Sequence, residues 1–216
     1  MSSNVHVKSK EQKEKKIKVI MTNDTTTDYY NKNAQDFIDG TVNVDTGSLR
    51  EKFLKYVPAG GKVLDLGCGS GRDSKCFKDA GYQVTAIDAS QELCIKASEY
   101  AGIDVRCMRF EELDDVGRYD GVFACASLLH VPEKVLPGVL TKINTALKPQ
   151  GILYASFKYG DFAGERDGRF FHDMNERSVG ELFDSVPGFM IEEMWQSHDV
   201  RRNKDAYWIN VIARNI

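Results

Sequence analysis

The sequence has no apolar run long enough to cross a bilayer. Its longest, near Val122–Leu129, falls far short of the roughly 20 residues a spanning helix needs. The lysine-rich start carries no apolar segment and no small-residue cleavage site, so no secretory signal is visible. Cys-x-x-Cys pairs are absent as well. The five cysteines (Cys68, Cys76, Cys94, Cys107 and Cys125) are odd in number and scattered. They read as reduced, buried thiols of a cytoplasmic protein, neither a disulfide framework nor zinc ligands, and no metal site is expected. A basic excess is also missing. The formal net charge is −3, which argues against a broad nucleic-acid surface but leaves room for a local patch. The length suits one domain with a substantial core.

What the chain does have is concentrated between Lys62 and Ser90, KVLDLGCGSGRDSKCFKDAGYQVTAIDAS. Val63–Leu66 reads as a buried strand. Gly67, Gly69 and Gly71 alternate through a tight loop, a helix follows over Asp73–Ala80, and Gln83–Ile87 is a second strand with Asp88 at its carboxyl end. This is a strand–glycine loop–helix–strand unit with a distal acid. Glycines let backbone approach a ligand closely, and an acid so placed accepts hydrogen bonds from ribose hydroxyls. Two phosphate-binding signatures are lacking. Arg72 stands where a dinucleotide loop has its third glycine, and no Gly-Lys-Ser/Thr ending follows. Asp65 before the loop would repel a pyrophosphate and suits a cationic group.

D-x-G-x-G-x-G with an acid after the next strand resembles motif I of class I S-adenosylmethionine (SAM) methyltransferases. The resemblance extends over nearly the whole folded part, and is nearest to the small ubiquinone-biosynthesis-like and tellurite-resistance-like group. It implies an α/β fold: a three-layer, Rossmann-like, seven-stranded and mostly parallel sheet with an antiparallel terminal strand. Residues 22–216 would form the single domain, with 22–57 a helical lid and 58–216 the core. Residues 1–21 read as a disordered basic leader, or as an upstream start with the working protein beginning at Met21.

The resemblance also implies a cofactor, SAM, and its contacts. Asp65 and Gly67 would hold the methionine amine, with Cys68, Gly69 and Gly71 completing the loop. Asp88, with Ala89, would take the ribose hydroxyls. Met108, Phe110 and Glu111 would line the adenine, and Cys125 and Ala126 the methionyl part. Tyr30, on a lid helix whose apolar face carries Tyr30, Ala34 and Phe37, would close over the cofactor, with Tyr29 facing the substrate or simply packing the helix.

In an open parallel sheet, ligands sit beyond the strand carboxyl ends where strand order reverses. The strand-four exit, Cys125 to His130, lies there, which makes His130 the candidate catalytic residue. The segment 158–175 reads as an irregular, glycine-rich and charged lid carrying Lys158, Arg166, Arg169 and His172. Arg201 would return from a later loop to the same face. Arginine suits bidentate binding of carboxylate or phosphate, so the leading expectation is a small, anionic or carboxylate-bearing acceptor. Methyl transfer is an in-line displacement. A carboxylate or thiolate acceptor needs no base, whereas an alcohol or amine would want His130 or His172. No Asn/Asp-Pro-Pro-Tyr follows strand four and no Pro-Cys occurs, so DNA adenine and cytosine-C5 enzymes are disfavoured. Arg169-Phe-Phe-His172 is similar to the Arg-Tyr-Tyr-His segment of transfer-RNA wobble carboxymethyluridine methyltransferases, which makes RNA the alternative acceptor. A SAM-binding regulatory protein without turnover is a third reading. The expected assembly is a monomer or homodimer, with no membrane partner.

Overall fold

The computed structural model describes residues 25–201 and 206–216. The expected basic leader lies outside the described residues. Three helices come first: α1 (25–32), α2 (Ala34–Thr41) and α3 (Gly47–Leu54). The core then runs β1 (Lys62–Leu66), α4 (Arg72–Asp79), β2 (Gln83–Asp88), α5 (Gln91–Ala101), β3 (Val105–Cys107) and β4 (Tyr119–Ala124). It continues with α6 (Leu136–Ala146), β5 (Leu147–Lys158), the hairpin β6 (Ala163–Arg166) and β7 (Arg169–His172), α7 (Glu176–Asp184), β8 (Phe189–His198) and β9 (Tyr207–Asn215).

The seven-stranded sheet has the order β3-β2-β1-β4-β5-β9-β8. β1 pairs in parallel with β2 and β4, so strand order reverses there. β9 runs antiparallel to both β5 and β8, which is the expected antiparallel terminal strand. β1 is apolar on both faces because helices cover both. Val63 points into a cluster with Phe53, Phe77, Phe123 and Tyr154 beneath α3 and α4. Leu64 and Leu66 point the other way, into a larger cluster with α6 and α7. The Phe123 ring stacks on Tyr154 with centroids 4.6 Å apart and meets Phe53 and Phe77 at 5.2 and 5.1 Å.

Local sequence explains most boundaries. Ser90 caps α5, its Oγ accepting from Leu93 N at 3.2 Å, and Gly102 ends the helix with φ 62°. Thr46 occupies the cap position of α3, and its hydroxyl donates to Asp73 Oδ1 at 2.7 Å instead of serving the helix. One expectation is displaced: the segment 158–175 is not irregular. Asp167 and Gly168, with φ of 50° and 73°, make the two-residue turn of a regular hairpin, the turn type that Asp-Gly favours.

The glycine loop also sets helix packing. Gly71 has φ 76°, and an added Cβ would lie 3.1 Å from Ala97 Cα, Cβ and O on α5. Gly71→Ala combines left-handed strain with overpacking and is expected to destabilise the fold by about 2–4 kcal/mol. Urea unfolding measures this; a change below about 1 kcal/mol would mean that α4 and α5 are not locked together here.

Candidate active site

The carboxyl ends of β1, β2, β4 and β5 open on a cleft with two chambers. The first, about 110 Å³, is lined by Asp88, Ala89, Phe110 and Glu111. The second, about 310 Å³, reaches from Asp65 and Cys68 at its inner end to Lys158, Arg166, Arg169 and Arg201 at its outer end. Tyr30, Phe37, Gly67, Gly69, Ala126 and His130 line both, and so form the junction.

The first chamber is built around Asp88. Its carboxylate accepts from Gly69 N at 3.0 Å and Ser90 N at 2.9 Å. Burial raises its pKa, while the N–H groups of Ser90, Gly69 and Ala89 favour the ionised form. The floor requires Gly67: with φ 79°, an added Cβ would lie 2.5 Å from Ser127 Cβ and 3.0 Å from Phe110 Cζ.

At the inner end of the second chamber, Asp65 is buried and accepts from Ser74 Oγ at 2.6 Å. Burial, with Asp73 nearby, pushes its pKa up to about 7. Asp73 beside it has the opposite bias. Despite burial, its pKa is lowered by Arg72, Thr46 and Arg50. Cys125 is a protonated thiol, pushed up to about 12 by burial.

The exit from β4 is pinned on both sides. Ala126 takes φ 53°, unusual for a residue with a side chain, and its N–H donates to Ser156 Oγ at 2.8 Å. Ser127 Oγ donates to Leu66 O at 2.6 Å. This loop delivers His130. Its Nδ1 is 2.6 Å from the Phe170 carbonyl, which can only accept, so Nδ1 carries the proton. Nε2 is then the acceptor in the neutral ring, and the Tyr30 hydroxyl donates to it at 2.8 Å. Burial lowers the His130 pKa to about 4, with Arg169 and Lys158 adding to the effect. His130 therefore stays neutral at physiological pH with both nitrogens engaged. Its ring lines the junction, but its acceptor nitrogen is occupied by Tyr30, whose own pKa burial raises.

The outer end is cationic, but unevenly so. Arg166 pairs with Asp173 at 2.5 Å, and Arg201 with Asp199 at 2.5 Å. Lys158 and Arg169 have no carboxylate partner among the described residues. Lys158 Nζ and the Arg166 and Arg169 guanidiniums surround the Phe171 ring at 5.1, 4.7 and 5.1 Å. Arg169 also lies 4.5 Å over Tyr29, and Phe170 N donates to Thr26 Oγ1 at 2.9 Å, so the hairpin is tied to α1.

Among the expected cofactor residues, all line the two chambers except Gly71, which packs on Ala97, and Met108, which packs on the main core. Of the expected substrate residues, Tyr29 and His172 line neither chamber. His172 is buried, with Nδ1 unpartnered and its pKa lowered by burial. The sequence reading missed Thr46, Arg72, Asp73 and Ser156, all on the second chamber.

Residues 63–151 match the family model described as a methyltransferase domain. That stretch holds the glycine loop, Asp88 and the His130 exit, on a seven-stranded, mostly parallel sheet of the expected kind. By that match, residues 63–151 are a methyltransferase domain. The chain is similar to the ubiquinone biosynthesis O-methyltransferase of Xanthomonas axonopodis pv. citri (strain 306), 36% identical over 121 residues, half of each chain. The chain thus spans about half the length of the first curated relatives it matches. An uncharacterized methyltransferase of Staphylococcus carnosus (strain TM300) is 25% identical, covering 82% of this chain and 93% of that one. In structure the chain is similar to the 1,6-didemethyltoxoflavin-N1-methyltransferase of Burkholderia thailandensis, solved with 1,6-didemethyltoxoflavin and S-adenosylhomocysteine (SAH) bound. The TM-score is 0.71 at 22% identity, covering 86% and 83% of the two chains. No helix among the described residues is long and apolar enough to cross a membrane.

Proposed function

We propose that the protein is a SAM-dependent methyltransferase acting on a small acceptor that reacts as an anion. The observation that carries this reading is the outer end of the second chamber. The buried Nε atoms of Arg166 and Arg169 have no hydrogen-bond partner there, and Lys158 lacks a counter-ion among the described residues. Buried donors without partners are uncommon, and an acceptor carboxylate or comparable oxyanion would satisfy them. The relatives named above support the small-molecule part: one acts, by its name, in ubiquinone biosynthesis, and another was solved with a small heterocycle.

The residues present fit SAM. Asp88 would accept from the ribose, Phe110 and Glu111 would border the base, and Asp65 would receive the amine. When bound, SAM supplies an activated methyl on a sulfonium. The chain's own work is alignment and exclusion of water, which supply roughly 7–11 kcal/mol of such a barrier. Tyr30 and Phe37 close the junction. His130 holds the Tyr30 hydroxyl in one orientation. A base is not required, because an anionic acceptor has no proton to lose; this agrees with a His130 that resists protonation.

Methyl-labelled SAM incubated with fractionated cell extract tests the reading. Label in an acidic metabolite fraction supports it, whereas label in RNA or protein, or no transfer at all, overturns it. Asp65 gives a second check. Below about pH 7 its carboxyl holds a proton in the free protein, while the ammonium of SAH pairs with the ionised form. Binding then releases a proton, so affinity should rise with pH through about 7 and level off above, by up to about tenfold per unit on the rising part. Asp65→Asn should abolish that slope in calorimetry between pH 5.5 and 8.

A further inference from the structure

We propose that Arg72 receives the carboxylate of the cofactor's amino-acid end, opposite Asp65, so that the inner end of the second chamber is matched to a zwitterion. This rests on the SAM reading above. The starting point is a residue that the glycine pattern marks only as a missing glycine. Arg72 opens α4 directly after the loop, and its side chain turns into the second chamber beside Asp65, Cys68 and Ser70.

Its neighbour Asp73 does not cancel its charge. Arg72 Nη2 and Nε lie 2.5 and 3.3 Å from the Asp73 carboxylate. The same carboxylate also takes Arg50 Nη1 at 2.7 Å and Thr46 Oγ1 at 2.7 Å. Two guanidiniums thus share one carboxylate, with side chains only 16% and 17% exposed. Among the described residues the second guanidinium has no carboxylate of its own to pair with; Asp65 acts on Arg72 only through space, without a hydrogen bond between them. Arg72 also keeps spare donors. A guanidinium has five N–H groups; Asp73 uses two and the Thr41 carbonyl, 3.2 Å from Nη1, a third.

Across the same end of the chamber lies Asp65, a buried acid whose one side-chain hydrogen bond here is to Ser74. A guanidinium with spare donors and a buried acid line one pocket without a hydrogen bond or ion pair between them among the described residues. A ligand with an ammonium and a carboxylate on one carbon would satisfy both at once. Arg50 and Thr46 are positioning residues in this scheme: they hold Asp73, and Asp73 holds the Arg72 fork.

The competing reading is a strut. Arg72 touches the Thr41 carbonyl at the end of α2, so it could serve only to tie the lid to the loop. Two ligands separate the cases: SAH, and 5′-methylthioadenosine, which has the nucleoside and sulfur but no amino-acid end. Calorimetry is run on the full-length wild type, Arg72→Gln and Arg72→Lys. The expected result is that Arg72→Gln weakens SAH roughly 10- to 100-fold, the range for a charge-assisted pair, while 5′-methylthioadenosine binds as in wild type. Arg72→Lys should fall between, because lysine keeps the charge without the planar fork, and it still reports if the glutamine variant does not fold. Equal loss of both ligands, or no loss of either, overturns the assignment in favour of a strut. Wild type that binds neither ligand instead overturns the SAM reading itself.

Discussion

Asp88→Asn is expected to lower the affinity for SAH by roughly 100- to 1,000-fold. Two losses add. Hydrogen bonds from ribose hydroxyls to a carboxylate are charge-assisted, each contributing about 1.5–3 kcal/mol, and an amide forfeits that charge. The second loss comes from the protein's own donors. Gly69 N donates to one oxygen of Asp88 and Ser90 N to the other, at 3.0 and 2.9 Å. An asparagine has a single oxygen, so its NH₂ group must face one of those N–H groups. One buried donor then loses its acceptor, whichever way the amide turns, and the loop between Gly67 and Gly71 loses an anchor. Calorimetry with SAH measures the effect, and unfolding of the unliganded variant separates loop damage from lost ligand contacts. If affinity falls less than about fivefold, the first chamber does not hold a ribose and the cofactor reading fails with it.

The mostly parallel sheet, and the strand, glycine loop and acid that meet around Asp88, were legible because their signals are local. A buried apolar strand, a glycine run and an acid at a fixed distance occupy one continuous stretch, and the sheet type follows from the fold it implies. The hairpin of β6 and β7 was equally local, since Asp167-Gly168 is a strong turn signal. It was passed over because the flanking strands are four residues each and lack clean apolar alternation. Pairings across the sequence were not legible at all. Nothing near Arg166 or Arg201 marks which arginines are neutralised. Asp173 lies nearer in sequence to Arg169 than to Arg166, the arginine it pairs with, so spacing alone would have picked the wrong partner. His130 was placed correctly at the junction of the chambers, yet its partners sit 40 and 100 residues away on Phe170 and Tyr30. Those partners decide its tautomer, and so what it can do. Arg72 was visible as a departure from a pattern; its surroundings were not, because only folding brings Thr46 and Arg50 of the N-terminal helices to the Asp73 it pairs with.

Replacing Lys158 and Arg169 together by methionine and glutamine should reduce kcat/KM for the labelled acceptor fraction about 100- to 1,000-fold, with SAH affinity within about threefold of wild type. The asymmetry follows from geometry. Both cations stand at the outer end of the second chamber, and neither lines the first. Of the four cations there, these are the two without a carboxylate of their own, so an acceptor anion would take its compensation from them. Burial, with Arg166 close by, lowers the Lys158 pKa, because a buried ammonium beside a guanidinium is poorly solvated and repelled. An incoming anion relieves that repulsion, so the charged lysine and the acceptor should stabilise each other. Truncating one partner of such a desolvated pair typically costs about 2–5 kcal/mol, and the two substitutions here remove both cations from one anion. Arg169 also lies over the Tyr29 and Tyr30 rings at 4.5 and 5.8 Å, so the double variant would loosen the lid if that were its main role. Loss of SAH affinity in parallel with turnover would reveal that case. Arg201→Gln serves as the contrast: its guanidinium is already held by Asp199 at 2.9 and 2.5 Å, and turnover should fall less than about fivefold. If instead Arg201→Gln is the damaging change and the Lys158–Arg169 pair is dispensable, the acceptor charge lies on the opposite wall of the chamber.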